Sequence, residues 1–377
     1  MISQLKTFIL NLLAGANIVV VLLMLISGFS DRISPADNEL LACSGIIFPF
    51  IVLANVLFIP VWVFLSWKRL AIPVIGLALA YIPIRTYLPL HGKSTPPEGS
   101  ICIVSYNVAG YGGNNKYSNA FDTIFNYVKT VRPDILCLQE EQIAKDIDTH
   151  RFFAELFPYN DSTRVSDVGG PWGLNSVGIH SRYPILRKEI IPYDSPTNGS
   201  VAYFLKIGTD TVIVINNHLE TSHLSSDDRN RYEEIYSEML KGDMERDTLK
   251  AETSVIVRKL SEGMVARAAH VEIIHNYMEA HRRYPMIVCG DFNDTPISYT
   301  RHIISQDMTD CFVESGRGFG ISYNRKGFNL RIDHMMCSSH FTPYACKIDN
   351  EMDASDHYPL LCWLKFNDLS NKTAEKP

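Results

Sequence analysis

Polar side chains of three kinds, carboxylate, amide and imidazole, follow apolar strand-like runs in the second part of this sequence. In chain order they are Asn107, Glu140, His218, Asp291, Asn293, Asp333, Asp356 and His357. Because strand ends are where a layered fold gathers a site from distant parts of the chain, we expect these side chains to converge. Carboxylate and amide oxygens are ligands of hard cations, and histidines suit proton transfer or charge stabilisation. The residue types therefore predict a metal-assisted site with acid–base chemistry.

A magnesium ion usually takes one or two protein carboxylates and keeps waters and phosphate oxygens as its other ligands. Glu140 and Asp356, with the amide of Asn107, would supply that set. No cysteine lies beside these positions and no Cys-x-x-Cys spacing occurs, so softer metals are disfavoured. Each residue taken alone also has a plainer interpretation as a turn, a helix cap or a loop residue. To replace the functional hypothesis, these plainer interpretations would have to hold independently at each of the positions.

The elements that must position these residues alternate between strands and helices. Apolar β-type runs cover 101–106, 134–138, 176–180, 201–207, 212–215, 286–289, 333–337 and 360–364. Helical spacing covers 117–130, and a long polar stretch at 226–283 is also of helical type. Strands separated by helices or loops throughout predict one mixed α/β layered domain over 101–366, followed by a polar tail at 367–377.

The first quarter of the chain has a different composition. Residues 1–98 hold only six Lys or Arg and four Asp or Glu, and the apolar runs at 7–29, 40–67 and 70–90 contain one charged residue, Arg85. Each run reaches the roughly 20 residues that cross a bilayer as a helix. A buried soluble helix seldom stays uncharged for that length, and a cleaved signal peptide would be shorter, with no further runs behind it. We therefore predict three transmembrane helices.

The predicted anchor, 1–90, is joined to the α/β domain by a turn-rich linker at 91–100. With three spans, Lys6, Lys68 and Arg69 share one side of the membrane, and the positive-inside rule makes that side cytoplasmic. The expectation is a multi-pass protein of the inner or plasma membrane with an extracytoplasmic catalytic domain. Cysteine usage points weakly the other way, because seven of the eight cysteines follow residue 100 without forming a disulfide framework.

Short motifs along the α/β domain have the order found in one known group of enzymes. They are Tyr106-Asn107-Val108, Leu138-Gln139-Glu140, Ser181-Arg182-Tyr183-Pro184, Asn217-His218-Leu219, Gly290-Asp291-Phe292-Asn293, Ile332-Asp333-His334 and Ser355-Asp356-His357-Tyr358-Pro359. Over about 100–366 the chain resembles the endonuclease/exonuclease/phosphatase superfamily. That group includes pancreatic-type deoxyribonucleases, abasic-site endonucleases, neutral sphingomyelinases and inositol-polyphosphate 5-phosphatases. The resemblance implies an α/β four-layer sandwich, in which two packed mixed β-sheets are flanked by helices.

The resemblance also implies a division of roles around the metal ion. Glu140 would be the main ligand of Mg²⁺, with Asn107 and Asp356 beside it, and Mn²⁺ would be a substitute. The implied reaction is hydrolysis of a phosphodiester or phosphomonoester by metal-assisted, in-line attack of water. The physical chemistry agrees, because the negative charge of a phosphoester repels hydroxide unless a cation and histidine donors offset it.

The implied catalytic residues are two histidines, two aspartates and one asparagine. Asp291 would position and deprotonate the attacking water, and Asn293 would hold Asp291 or a phosphate oxygen. His357, oriented by Asp333, would stabilise phosphoryl charge or exchange a proton. His218 would be the second histidine on the phosphate.

The sequence departs from the family pattern in two places. The family often has an arginine and then a glutamine three residues later on the helix before Gly-Asp-x-Asn, whereas Arg267 is followed here by His270. The stretch at 226–262 is longer than a minimal member needs and mixes apolar with charged residues. It is either a surface helical insertion or a lid or membrane-facing arm.

The net charge of the α/β domain indicates which substrates it would bind. Residues 99–377 hold 29 Lys or Arg and 37 Asp or Glu, a net charge of −8, whereas residues 1–98 carry +2. Because duplex affinity comes largely from basic side chains, such a domain is a poor general DNA binder. Tethering to a bilayer favours a lipid-derived or surface-located phosphoester. The alternatives are an extracytoplasmic DNA or RNA nuclease and an inactive binding or scaffold protein. No protein partner is implied.

Overall fold

The computed structural model describes residues 2–112, 119–141, 153–165, 175–221, 231, 246–325 and 328–367. Its N-terminal part is helical. The helices are α1 (Ile2–Gly28), α2 (Glu39–Cys43), α3 (Phe48–Leu65), α4 (Ala71–Leu79) and α5 (Tyr81–Tyr87), with short 3-10 helices at Ser30–Arg32, Ser44–Ile47 and Trp67–Leu70.

Two of the three predicted spans are single helical stretches. Ser3–Arg32 and Glu39–Leu65 are each long and apolar enough to cross a membrane. The third run is a pair of helices, Trp67–Leu79 and Tyr81–Tyr87, bent by 62° at the break between them. Pro83 explains the break, because its ring would clash with the carbonyl four residues earlier in a continuous helix. The described chain therefore has two candidate spans, or three if the bent pair is one span.

A buried polar cluster joins the apolar helices. Asn17 donates to Asn55 (3.0 Å) and accepts from the indole of Trp62 (2.8 Å), while Asn55 donates to the carbonyl of Pro73 (3.1 Å). Interhelical hydrogen bonds of this kind stabilise helix pairs in a bilayer, where no water competes for the polar groups. The cluster fixes α1, α3 and α4 against one another.

The rest of the chain forms two six-stranded sheets and a small hairpin. The first sheet has the order β13-β14-β1-β2-β4-β3, the second β5-β6-β7-β8-β12-β9, and the hairpin is β10-β11. Both sheets are mixed, with β1 parallel to β2 and β7 parallel to β8. The strands are β1 (Ile101–Asn107), β2 (Ile135–Gln139), β3 (Tyr159–Arg164), β4 (Ser176–Ser181), β5 (Ile185–Ile191), β6 (Gly199–Ile207), β7 (Asp210–His218), β8 (Met286–Asp291), β9 (Met308–Asp310), β10 (Tyr323–Arg325), β11 (Phe328–Leu330), β12 (Asp333–Ser338), β13 (Phe341–Ile348) and β14 (Leu360–Phe366).

Five helices accompany the packed sheets in the described part of the chain. They are α6 (Ala109–Gly112), α7 (Ala120–Val131), α8 (Arg246–Ala280), α9 (Tyr299–Ile304) and α10 (Cys311–Ser315). A central core of β-strand side chains, such as Ile103, Tyr203 and Val214, lies between the sheets. A second cluster joins α8 to the outer face of one sheet, and a third joins α7 to the other. The four-layer sandwich that the family resemblance implies is confirmed.

The boundaries of two predicted helices differ from the structure. The helix expected at 117–130 runs over Ala120–Val131, and the long stretch at 226–283 contains the helix Arg246–Ala280. Residues 222–230 and 232–245 lie outside the described residues, so the nature of the 226–262 insertion stays a prediction. Most of the polar tail, from 368 onward, also lies outside them.

The apolar helices pack directly on the α/β domain. Ile297 lies in one cluster with Met24, Phe48 and Ala80. Gly45 lies so close to Ile297 that an added Cβ atom would come within 2.2 Å of its carbonyl oxygen. The predicted linker follows the domain surface, with the hydroxyl of Ser94 accepting from the backbone of Ala345. The helices therefore have a fixed position on the domain.

Candidate active site

Strand ends from both sheets meet at one edge of the sandwich. In the first sheet Asn107 is paired with Gln139, the residue before Glu140. In the second sheet Asp291 is paired with His218 on one side and with Asp333 on the other. These pairings place two polar strand ends side by side in the first sheet and three in the second.

Gly290 is required for this arrangement. Its φ of 132° lies in a region that side-chain-bearing residues rarely adopt, and an added Cβ atom would come within 2.0 Å of the carbonyl oxygen of Asn217. The close approach of β8 to β7 sets Asp291 beside His218. The glycine of the Gly-Asp-x-Asn motif therefore has a structural role.

Asn107 connects the two sheets across the site. Its amide nitrogen donates to Glu140 Oε1 (3.2 Å) and to Asp291 Oδ2 (3.0 Å). Its amide oxygen accepts from the backbone of Ala109 (3.1 Å). In this arrangement the nitrogen of the amide, and not its oxygen, faces the carboxylates.

Glu140 follows β2 in the left-handed region, with φ of 50°. Its side chain is 37% exposed, in contrast to the buried side chains around it. Its carboxylate lies 3.7 Å from Nε2 of His218. Of the carboxylates at this edge, Glu140 thus reaches furthest toward solvent.

Asp291, Asp333 and His357 form a buried group whose ligand atoms all lie within 4.8 Å of one another. His357 Nδ1 is 2.9 Å from Asp333 Oδ2, and its Nε2 is 3.6 Å from Asp291 Oδ2. Burial lowers the pKa of His357, but the two carboxylates outweigh it and hold that pKa well above its ordinary value. The imidazolium form is therefore favoured, with both ring nitrogens as donors.

Burial raises the pKa of Asp291 to about 6, against the opposing effect of His357 and His218. The backbone N–H of Asn293 donates to Asp291 Oδ1 at 2.8 Å. The side chain of Asn293 donates to the carbonyl of Leu219 (2.9 Å), which fixes the turn at its φ of 52°. Asn293 thus holds Asp291 through its backbone.

His218 lies on the other side of Asp291. Its Nδ1 is 3.2 Å from the amide nitrogen of Asn175, which makes Nδ1 the acceptor and leaves the proton on Nε2. Burial lowers the pKa of His218, so the neutral form is favoured. Nε2 is 3.8 Å from Asp291 Oδ2, and it has no hydrogen-bond partner among the residues that the structure describes. A buried donor in this state is suited to an oxygen atom of a ligand.

Asp356 has a different neighbour from the one expected. Both Nε and Nη2 of Arg325 donate to its Oδ2, at 2.9 and 2.8 Å. Burial raises the pKa of Asp356, but the positive charges of His357 and Arg325 lower it by more, so the pKa lies below its ordinary value. Asp356 does not belong to the three-residue group around Asp291.

Three residues at the site were missed by the sequence analysis as functional positions. Arg325 and Tyr323 lie on β10, a strand of three residues with no apolar alternation, and the ring of Tyr323 lies 5.0 Å from that of His357. Asn175 directly precedes the apolar run at 176–180, but only its contact with His218 reveals its position in the site. No local pattern marks these residues, since their neighbours are distant in the chain.

Arg267 and His270, at which the sequence departs from the family pattern, stabilise neighbouring loops through hydrogen bonds. Arg267 is buried and donates to Asp294 Oδ2 (3.1 Å) and to the carbonyl of Glu220 (2.8 Å). His270 lies 2.9 Å from the carbonyl of Asp194 and stacks on Tyr193. Arg267 therefore supports the segments that follow Asn293 and His218, and His270 supports the segment that follows β5.

Comparison with known proteins identifies the fold. The family model described as "Endonuclease/Exonuclease/phosphatase family" matches residues 104–357. This chain belongs to that family. Its members hydrolyse phosphoester bonds and use divalent metal ions, so the chain is a phosphoester hydrolase by family. A second model, described as a domain of unknown function, matches residues 10–87. No curated protein matches the chain.

Solved structures resemble the α/β domain at low sequence identity. The human Nocturnin catalytic domain with bound sulfate is 16% identical, with a TM-score of 0.50 over 72% of this chain and 97% of its own. A family protein from Beutenbergia cavernae is 15% identical, with a TM-score of 0.50 over 71% of this chain and 72% of its own. The 3′ phosphatase NExo from Neisseria, bound to a product DNA hairpin, is 17% identical, with a TM-score of 0.48 over 71% and 99%. The likeness to the first two structures shows the fold.

Proposed function

We propose that this chain is a membrane-anchored, Mg²⁺-dependent phosphoesterase that hydrolyses a lipid-derived or otherwise surface-located phosphoester by in-line attack of water. One observation carries the proposal. Two histidines and Asp291 converge, with His357 Nε2 at 3.6 Å and His218 Nε2 at 3.8 Å from the same carboxylate oxygen. This is the set of groups that activates water and binds phosphoryl oxygens.

The residues fit a divalent cation. The site offers carboxylate oxygens, and Asp333 Oδ1 is buried there without a partner among the described residues. Glu140, with Asn107 and Asp356, would hold the ion. When bound, it offsets the charge of the phosphoester and lowers the pKa of a water molecule. The amide oxygen of Asn107 already accepts from the backbone of Ala109, and Oδ2 of Asp356 already accepts from Arg325. For this reason we propose Glu140 as the principal ligand.

The other side chains have separate roles in the proposed reaction. Asp291 orients the attacking water and accepts its proton at Oδ2. His357, kept charged by Asp333, donates a hydrogen bond from Nε2 to a phosphoryl oxygen. His218 donates from its Nε2–H to a second oxygen, because Asn175 occupies its Nδ1. These fixed donors stabilise the charge that develops in the transition state.

The position of the apolar helices favours a substrate at the bilayer surface. Ile297, which packs on α1 and α3, follows Asn293 by only four residues. The edge of the sandwich that holds the site is therefore tied through this short loop to the apolar helices. The net charge of −8 on residues 99–377 disfavours general binding to DNA.

The full-length protein in vesicles with Mg²⁺ is expected to hydrolyse a vesicle phospholipid as well as soluble bis-p-nitrophenyl phosphate. Gly45→Val should displace the Ile297 loop from the anchor. It should lower lipid turnover about tenfold and leave soluble turnover within about twofold, because only the surface substrate needs that fixed position. Phosphate release measures both rates.

Gly15→Val is the matched control, since an added Cβ atom at Gly15 meets nothing within 4 Å. Faster turnover of plasmid DNA or RNA than of any lipid would establish the nuclease alternative instead. If Gly45→Val lowers the turnover of both substrates equally, the anchor does not position the site for a surface substrate.

We also infer that the α/β domain is extracytoplasmic in the inner or plasma membrane. The segment between α1 and α3 contacts this domain, whereas Lys68 and Arg69 lie in the next connection, where Arg69 donates to Asn11 of α1 (2.6 Å). The basic connection therefore belongs to the opposite side, which is cytoplasmic by the positive-inside rule. An epitope tag after Pro377 should react with an impermeant antibody in cells or spheroplasts with an intact membrane. A tag that reacts only after lysis would place the domain in the cytoplasm.

A further inference from the structure

A cavity lies beside the β10–β11 hairpin, with a volume of about 760 Å³. Its walls come from four separate segments. These are the chain that leaves the anchor at 91–94, residues of 312–324 with Asn329 of the hairpin, the end of β13 with its following turn at 345–350, and Tyr358. None of the predicted catalytic or metal-binding residues lines it.

The hairpin separates this cavity from the candidate active site. Tyr323 and Arg325 contact His357 and Asp356 on the catalytic side. Asn324, between them in the strand, lines the cavity together with its cross-strand partner Asn329. Since successive side chains of a strand point to opposite faces, the two sites share one wall.

The lining has the chemistry of an anion site with an apolar base. Lys93, Arg317 and Lys347 contribute cationic side chains, and no Asp or Glu is among the described lining residues. Lys347 also contacts Asp349 at the rim, at 3.0 Å. Amides of three asparagines and the apolar side chains of Phe312 and Ile348 complete the wall. In a region with a net charge of −8, this local grouping of cations is suited to a phosphate with an apolar attachment.

The cavity adjoins the end of the last apolar helix. Leu90, just after that helix, pairs with Arg317 of the lining, and the backbone of Gly318 donates to the carbonyl of Pro89 (2.8 Å). Two large apolar side chains stand out here, Leu90 at 76% exposed and Phe319 at 51% exposed. Exposed apolar side chains beside a membrane helix are stabilised in the interfacial layer, where phospholipid headgroups lie.

We propose that this cavity binds the phosphate-bearing headgroup of an anionic phospholipid from the bilayer that holds the anchor, at a site separate from the catalytic one. Lys93 and Arg317 bind the phosphate, the asparagine amides bind headgroup hydroxyls, and Phe319 and Leu90 contact the acyl region. A bound headgroup fixes the hairpin that carries Tyr323 and Arg325. The proposal goes beyond phosphoester hydrolysis, because this lipid is a ligand and is not consumed.

The test uses the full chain with Glu140→Gln and without added Mg²⁺, so that hydrolysis does not remove the ligand, in phosphatidylcholine nanodiscs with increasing phosphatidylglycerol. Native mass spectrometry gives the number of bound phosphatidylglycerol molecules and the apparent Kd. Lys93→Gln with Arg317→Gln should weaken the tightest site about 30-fold, since each cation near an anionic headgroup contributes about a factor of five. Lys129→Gln with Arg282→Gln, which removes two exposed cations away from the cavity, should leave the Kd unchanged.

The proposal is overturned if the cavity variant keeps the wild-type Kd. It is also overturned if inorganic phosphate, added to phosphatidylcholine nanodiscs, raises the Tm as much as phosphatidylglycerol does, because the ligand is then a free anion. The cavity variant with Glu140 intact should retain its soluble phosphoesterase rate and its Tm in phosphatidylcholine. Since the readout is binding, the absence of any hydrolytic activity would refute the proposed function and leave this result standing.

Discussion

Asp291→Asn is expected to reduce kcat by about 10³-fold, with little change in KM for a soluble phosphodiester. Asp291 Oδ2 accepts from Asn107 at 3.0 Å and faces both histidines, so its carboxylate is placed to take the proton of the attacking water. Asparagine has nearly the same shape but cannot accept that proton, and loss of a general base typically costs 10²–10⁴-fold. Steady-state rates with bis-p-nitrophenyl phosphate and Mg²⁺ measure the effect.

The matched control is Asp307→Asn, an exposed aspartate in a turn with φ of 57°, a conformation that asparagine also tolerates. Its kcat should equal that of the wild type. An Asp291→Asn protein that folds and retains more than about a tenth of the wild-type kcat would exclude Asp291 as the base.

Glu140→Gln should raise the Mg²⁺ concentration for half-maximal activity about 100-fold or more. The substitution removes the negative charge from the most exposed carboxylate of the site, and a hard cation depends on that charge for its affinity. Because the side chain is 37% exposed, the fold should tolerate the change. Mn²⁺ binding measured by electron paramagnetic resonance gives a readout that does not depend on turnover.

Glu262→Gln on α8 is the control, since Glu262 is 60% exposed and pairs only weakly with Arg258 at 3.8 Å. It should bind Mn²⁺ as the wild type does. If Glu140→Gln binds Mn²⁺ with unchanged affinity, the principal ligand lies elsewhere, and the group of Asp291, Asp333 and His357 becomes the next candidate.

The strand ends could be predicted from the sequence because they follow a local rule. Runs such as 286–289 and 333–337 are apolar and short, and a polar residue that follows or begins such a run lies at a sheet edge. The structure brings Asn107, Asp291 and His218 together there, within direct or near contact. Their catalytic roles remain predictions.

The sequence did not predict the partners of these residues. Arg325 donates to Oδ2 of Asp356 from a hairpin whose strands have only three residues, and the role of Asp356 as a metal ligand stays a prediction. The amide of Asn107 turns its nitrogen to the carboxylates because the backbone of Ala109 holds its oxygen. Such contacts join residues far apart in the chain or depend on side-chain rotation, and neither leaves a periodic signal.

The separation of an apolar quarter from a charged α/β domain, the order of the motifs and the resemblance to the family can be read directly from the residues, because composition and short motifs are local properties. Only the three-dimensional structure shows that the third apolar run bends by 62°, that Ile297 packs on the apolar helices near the candidate site, and that the β10–β11 hairpin has this site on one face and a cationic cavity on the other. These features depend on which distant surfaces pack together, and close packing is a property of the whole fold.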